Sequence, residues 1–455
     1  MHSERARQWV HIGSGSFALL LRALTWWQAA ALAAVALAFN VVALPRVGGR
    51  RLYRPIDEAR GFPIGILLYP LAVLLLILIF PSRLDIVAAA WAVLALGDGA
   101  ATLAGQAKAV KEAKAAKEAK SAKTGSLPWN REKTVAGTIA FMVFGALGGV
   151  ALAWWVRPNV VPLPPLAFTI AAPMAAAIAA AFVETLPIRL DDNVSVPAAA
   201  ASVLWVASQM DAASWQASRG VVAAALPWAI ALNTLTASAG YRARTVSTSG
   251  AIAGAIVGIL IYAGAGFGGW LLLFAAFLAA SLTSRLGLHR KTLLGIAEER
   301  GGRRGAGNAI ANCGIAVVAA VVAVTTPHAH GALVAFVAAL AAGGSDTVAS
   351  EIGKAWGTST FLVTTLGRVK PGTPGAMSLE GTAAGLVAAA ALAALGVALG
   401  LMPASAILPA VVGATAGALL ESALAATLEG PGILNNDMLN FINTAVAAAV
   451  AVAVA

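Results

Sequence analysis

Residues 62–80 read FPIGILLYPLAVLLLILIF, a run with no charged side chain. A helix that crosses a bilayer needs about 20 predominantly apolar residues. Barrel strands would alternate polar and apolar residues, and this run does not. In lipid a backbone must satisfy its own hydrogen bonds, so the run reads as a membrane helix. Comparable runs stand at 24–44, 84–103, 134–156, 163–183, 378–401 and 438–455. Of the 455 residues, 59% are hydrophobic and only 11% charged, against about 25% charged in soluble domains. The expected fold class is all-α, a polytopic transmembrane helical protein of about 15 membrane helices. Two related halves are expected, residues 1–215 and 216–455, parted by an external linker over 211–219.

The formal net charge is +11. The basic residues cluster in loops at 46–60, 105–133 and 285–304. Such loops face the cytoplasm by the positive-inside rule. With 105–133 placed inside, stepping along the spans puts 184–193, 351–377 and 428–437 inside as well. The charge is thus assigned to membrane topology, not to nucleic acid. Lysines recur every third residue from Lys108 to Lys123 and so wrap around a helix instead of lining one face. This insert is read as a solvated arm at the membrane surface. Residues 1–22 are read as an N-terminal interfacial anchor with no cleavable signal peptide. The single cysteine, Cys313, excludes an internal disulfide and reads as a packing residue.

Two stretches share a pattern. Residues 97–105 read GDGAATLAG, and 127–138 read LPWNREKTVAGT. Residues 343–354 read GGSDTVASEIGK, and 366–382 read LGRVKPGTPGAMSLEGT. Asp98 precedes Gly137 by 39 residues, and Asp346 precedes Gly381 by 35. An apolar hairpin follows each stretch, then a second acidic cluster. The first is Glu184, Asp191, Asp192 with Asn193; the second is Glu421 with Asn435, Asn436, Asp437 and Asn440.

Ionisable residues at membrane depth are costly and mark function, although an aspartate such as Asp98 also serves as a helix cap. Arg131, Lys133 and Lys370 precede Ser/Thr-rich helix starts, one of them at Thr134. Free N–H groups at a helix start bind phosphate, and basic side chains complete such a site. The alternative for these lysines is ordinary positive flanking. Magnesium is held by one or two carboxylates plus phosphate oxygens. Phosphoryl transfer asks chiefly for positioning, charge neutralisation and a carboxylate beside the hydroxyl. No GxxxxGK[ST] loop, zinc pattern or nucleophile triad is present. His328 and His330 read as a solvated turn.

On these motifs, residues 1–210 resemble the membrane prenol kinases, phytol kinase and dolichol kinase, within the wider group related to CDP-diacylglycerol synthase. GDGAAT, REKTVAGT and ETLPIRLDDN (184–193) carry the resemblance, with Glu4, Arg7 and His11 as E-x-x-R-x-x-x-H. The lysine insert departs from the compact form of that loop. The second half resembles the integral-membrane family that contains plant phytyl-phosphate kinase. Its matching stretches are TVSTSGAIAG (245–254), RRGAGNAIANCG (303–314), SDTVASEIGK (345–354), VKPGTPGAMSLEGT (369–382) and ESALAAT (421–427). Glu421 stands where such proteins often carry Asp.

The resemblance implies CTP as phosphoryl donor in both halves and Mg2+ as cofactor. In the first half Asp98 and Glu184 would be catalytic. Asp98, Asp191 and Asp192 would hold magnesium, and Arg131, Lys133 and Thr134 the nucleotide phosphates. His11 and Asn193 would give polar support. In the second half Asp346 would be catalytic and would bind metal with Glu351 and Asp437. Arg304, Lys354, Arg368 and Lys370 would hold phosphates, supported by Asn308 and Asn312. The expected partners are an isoprenoid alcohol (phytol, geranylgeraniol or farnesol), its monophosphate, a nucleoside triphosphate and membrane lipid. The expected function is two successive phosphorylations, to the monophosphate and then the diphosphate, by sites on the cytoplasmic side. A CDP-lipid-forming cytidylyltransferase is the alternative and would release pyrophosphate. A transporter with two repeats would place its acids at a midplane cavity instead of the membrane edge.

Overall fold

The computed structural model describes residues 4–44, 46, 64–105, 126–127, 130, 132–186, 191–296, 303–431 and 433–455. The lysine insert, Arg131 and the side chains of Glu4 and Arg7 lie outside the described residues, as does most of the basic loop at 46–60. Among the described residues, ten helices are long and apolar enough to cross a membrane, and two shorter apolar helices accompany them. The structure is an all-α polytopic membrane protein. It forms two compact units, the first of residues 1–186 and 190–208, the second built on Gln209–Ala455.

In the first unit α1 (Glu4–Ser14) runs into a 3-10 turn (Gly15–Arg22). Then come α2 (Trp26–Val42), α3 (Ile64–Ile79) and α4 (Leu84–Ala92). The last leads directly into a π-helical turn, Val93–Asp98. The unit closes with α5 (Val135–Val156), α6 (Leu166–Thr185) and α7 (Asp192–Gln209). The span containing α4 is the centre, 72% buried. Its residues Ile86–Ala90 have no exposed surface. Most are alanine, and small side chains let neighbouring helices approach from all sides.

The N-terminal segment packs into the unit along one face. Gly15, Ala18 and Leu21 are buried, and the 3-10 turn packs on α4. Their three-residue spacing matches the three residues per turn of a 3-10 helix, so all three face the same way. This packing brings His11 into the unit.

The second unit holds α8 (Ala212–Arg242), α9 (Thr248–Arg285), α10 (Leu288–Leu293), α11 (Ala306–Thr325) and α12 (Ala329–Trp356). An antiparallel hairpin follows, β1 (Thr360–Leu362) and β2 (Ala376–Ser378), with Phe361 opposite Met377. It leads to α13 (Leu379–Ala398), α14 (Ile407–Leu424) with a π-helical turn at Ala425–Glu429, and α15 (Asn436–Val454). The centre here is α12, 78% buried and packed by α9, α11, α13, α14 and α15. The expected linker at 211–219 is helical. Asp211 caps α8 by accepting from the Ser214 N–H at 2.9 Å, and no proline interrupts the first four turns. The expected hairpin at 251–284 is present: the two halves of α9 turn at Gly266, where φ is 68° and ψ −171°, and Asn233 of α8 meets both Gly258 and Trp270.

Apolar side chains cover the outside. Trp154, Val221, Trp228 and Leu235 are exposed, as helices that face lipid require. In each unit the most buried span carries the aspartate singled out from sequence, Asp98 or Asp346.

Candidate active sites

In the first unit four elements converge on Asp98. It ends the π-helical turn of α4, a distortion often found at functional sites. The His11 Nε2 of α1 lies 3.5 Å from its Oδ2. Glu184 comes from the end of α6 and Asp192 from the start of α7. One carboxylate oxygen from each of Asp98, Glu184 and Asp192 lies within 4.8 Å of the other two. Lys133 donates to the Glu184 carboxylate and, at 3.1 Å, to Asp192 Oδ2.

The loop before α5 positions that lysine. The Leu127 N–H donates to the Lys133 carbonyl at 3.0 Å, and Asn130 Nδ2 donates to the Thr185 carbonyl at 3.1 Å. Thr134 then caps α5, its hydroxyl accepting from the Gly137 N–H at 3.1 Å. Burial opposes the charge on Lys133, but the carboxylates of Asp192 and Glu184 outweigh it and raise its pKa above the ordinary lysine value. The ammonium stays charged through the physiological range.

Three carboxylates this close suit a divalent cation. Asp191 is not part of it. Its Oδ1 accepts from the Asn193 N–H at 2.9 Å and from Asn193 Nδ2 at 2.8 Å, which fixes the turn into α7. Beside the cluster lies an apolar cavity of about 490 Å³ whose walls include His11, Leu32, Tyr69, Trp91 and Asn193. Tyr69 was not singled out from sequence. Its hydroxyl accepts from Trp91 Nε1 at 2.8 Å, and its ring meets His11 edge-on at 4.7 Å.

In the second unit Asp346 of α12 and Glu421 of α14 line one cavity, and their carboxyls interact directly. Asn443 Nδ2 of α15 donates to Glu421 Oε2 at 2.8 Å. Two carboxyl groups at this range either share a proton or share a cation. They line a polar cavity of about 300 Å³ with Asn308, Lys354, Glu429 and Asn440. Lys354 Nζ donates to Glu351 Oε1 at 3.1 Å. Glu351, 1% exposed, also accepts from Lys291, itself 1% exposed.

Several expected residues stand elsewhere. Glu351 faces two lysines and does not line the cavity. Asp437 sits in the first turn of α15, where Asn436 and Asn440 face the cavity instead. Arg368 and Lys370 are exposed, the former 5.7 Å over the Phe361 ring. Arg304 donates to Asn308 Oδ1 at 3.3 Å, and Asn312 Nδ2 to the Asn308 carbonyl at 2.9 Å. Glu421, expected as a member of the second acidic cluster, is the residue of that cluster that meets Asp346. The signal was present, since it is the one charged residue between Ile407 and Leu428, and lone acids inside spans mark function.

The cavity wall at residues 371–378 depends on Gly375. Its φ is +73°, and a Cβ there would lie 2.4 Å from the Ser422 carbonyl oxygen and 2.5 Å from Ala426 N. Left-handed backbone costs a side-chain-bearing residue about 1–2 kcal/mol, before the clash is counted. Gly375→Ala is expected to lower the thermal transition in detergent by several degrees. An unchanged transition would show that this wall is not under that constraint.

Residues 231–448 match the integral membrane protein DUF92 family. An uncharacterized membrane protein of Synechocystis is 39% identical over 44% of this chain and 78% of its own. The chain belongs to the DUF92 family. A second uncharacterized membrane protein of this kind, from Methanocaldococcus jannaschii, is 32% identical over 45% of this chain and 84% of its own. The chloroplastic protein VTE6 of Arabidopsis thaliana is 37% identical over 46% of this chain, and the match spans 64% of that protein. No solved structure matches the chain. The DUF92 region contains Asp346, Lys354, Glu421 and Asn443, and so both carboxyls of the second cavity. Asp98, Glu184 and Asp192 lie before it.

Proposed function

We propose that this DUF92 chain is a membrane phosphotransferase with two sites, which phosphorylates an isoprenoid alcohol to its monophosphate and then to its diphosphate. The observation that carries the reading is the three-carboxylate cluster with Lys133, placed beside an apolar cavity that shares His11 with it. A charged site for phosphate and cation adjoining room for a lipid chain is what transfer to a lipid alcohol needs. The similarity to VTE6 and the resemblance of the second half to the phytyl-phosphate kinase family support the second step. The resemblance of the first half to prenol kinases supports the first step and the use of CTP.

In the first unit Asp98, Glu184 and Asp192 would hold Mg2+, which when bound neutralises phosphate charge and orients the transferred group. Asp98 would accept the proton or the hydrogen bond of the alcohol hydroxyl, and His11, whose Nε2 faces the Asp98 carboxylate and the Leu94 carbonyl, would orient Asp98. Lys133 offers its ammonium to phosphate oxygens. In the second unit Asp346 and Glu421 take the acidic role and Lys354 the basic one. The active-site loops are assigned to the cytoplasmic side on their basic flanks.

The deciding assay uses purified protein in detergent with geranylgeraniol or phytol, magnesium and CTP labelled at the γ-phosphate. Label in both a lipid monophosphate and a diphosphate is expected. Pyrophosphate release with no labelled lipid would replace the reading with cytidylyl transfer.

Lys133 makes a further prediction. Without it the three carboxylates lose their internal counter-charge. Lys133→Met is expected to lower transfer at least a hundredfold and to make thermal stability depend on Mg2+, because an ion bound only to the folded state stabilises by mass action. A variant whose thermal transition responds to Mg2+ no more than the wild type would rule this out.

A further inference from the structure

The polar cavity of the second unit has an apolar neighbour of about 170 Å³, lined in part by Gly254, Trp270, Phe274, Cys313 and Gly343. The two cavities share Asn308. They also follow one face of α12, since Gly343 lines the apolar cavity while Asp346 and Thr347 line the polar one. Residues three and four apart are neighbours on a helix surface, and three residues advance the axis by about 4.5 Å. An occupant of both cavities is therefore charged at one end and apolar within a few bonds of it.

Size limits what the apolar part holds. A dry cavity of about 150 Å³ takes a benzene molecule, so this one accommodates roughly five or six carbons, far fewer than a twenty-carbon chain. One wall is fixed. The Trp270 indole N–H donates to Asn233 Oδ1 at 3.0 Å, and Asn233 Nδ2 donates to the Ala229 carbonyl at 2.8 Å. The Trp270 ring stacks on Phe267 at 5.8 Å and on Phe274 at 5.2 Å. With its N–H satisfied, Trp270 presents an apolar surface.

We propose that this cavity is the subsite for the phosphate-proximal isoprene unit of a prenyl monophosphate. The second unit then reads the structure of that first unit and not the length of the whole chain. The proposal rests on the reading of the second unit as a phosphotransferase. Gly254 supplies the probe, because it lines the cavity and a Cβ there meets nothing within 4 Å, so an added side chain starts in open space.

The test uses the full chain in detergent and geranylgeranyl monophosphate carrying a diazirine on its first isoprene unit. Photolysis is expected to label residues 248–285 or 306–325. Gly254→Leu is expected to weaken binding at least tenfold with little change in the thermal transition, since each buried methylene contributes about 0.8 kcal/mol. Gly254→Ala is expected to bind as the wild type does. Wild-type-like binding by Gly254→Leu would overturn the subsite. Equal labelling of the same residues by a geranylgeraniol probe would overturn it too, by showing an ordinary lipid crevice. Should Gly254→Leu fail to fold, the labelling positions in the wild type decide alone. Labelling that persists while no γ-phosphate reaches lipid would refute phosphate transfer and leave the subsite standing. Transfer with binding insensitive to Gly254→Leu would refute the subsite only.

Discussion

Asp346→Asn is expected to stop formation of the lipid diphosphate, with a loss of at least a thousandfold, while labelled monophosphate accumulates. Asp346 and Glu421 face each other in the polar cavity of the second unit, and Asn443 holds Glu421 in place. Asparagine matches the shape of aspartate but carries no charge, so the pair loses its capacity to hold a cation against phosphate. Stability is expected to move the other way. Two carboxyls that face each other in one cavity repel when ionised, and the amide can still donate to Glu421. The thermal transition of Asp346→Asn is therefore expected to rise or stay level while activity falls, as at sites where function opposes stability. A large loss of thermal stability would show instead that Asp346 serves the fold. Measuring both quantities on one preparation separates the two cases.

Asp98→Asn is expected to abolish monophosphate formation from the alcohol, by at least a hundredfold, and to leave the second step intact. Asp98 contributes one of three carboxylates within 4.8 Å of one another and stands 3.5 Å from His11. Its loss leaves Glu184 and Asp192 already engaged by Lys133, a set with too little negative charge left for a divalent ion. Supplied with prenyl monophosphate, the variant should form diphosphate at the wild-type rate, because Asp346 and Glu421 belong to the other unit. If Asp98→Asn and Asp346→Asn abolish the same single step, the chain has one site and the two-step reading is wrong.

Much of the architecture was legible in the chain. Uninterrupted apolar runs such as 62–80 need no partner to declare themselves, because lipid forces the backbone into helix. Asp98, Glu184 and Asp192 were legible because acids are rare among small and apolar neighbours. Other placements turned on a neighbour distant in the sequence. Glu351 has the composition of a metal ligand, but Lys291, sixty residues earlier, neutralises it. Asp191 and Asp192 are adjacent in sequence, yet one caps a turn and the other faces the cluster. Arg368 and Lys370 sit in a basic motif, but the hairpin that carries them leaves both exposed.

The class of protein and the approximate spans are written in the chain, because hydropathy and the cost of burying charge are local properties. Which acids meet depends on how the helices pack. Asp98 with Glu184 and Asp192, Asp346 with Glu421, and the apolar cavity beside each site are products of helices packing side by side. Such packing joins residues tens of positions apart, and no local pattern encodes that distance.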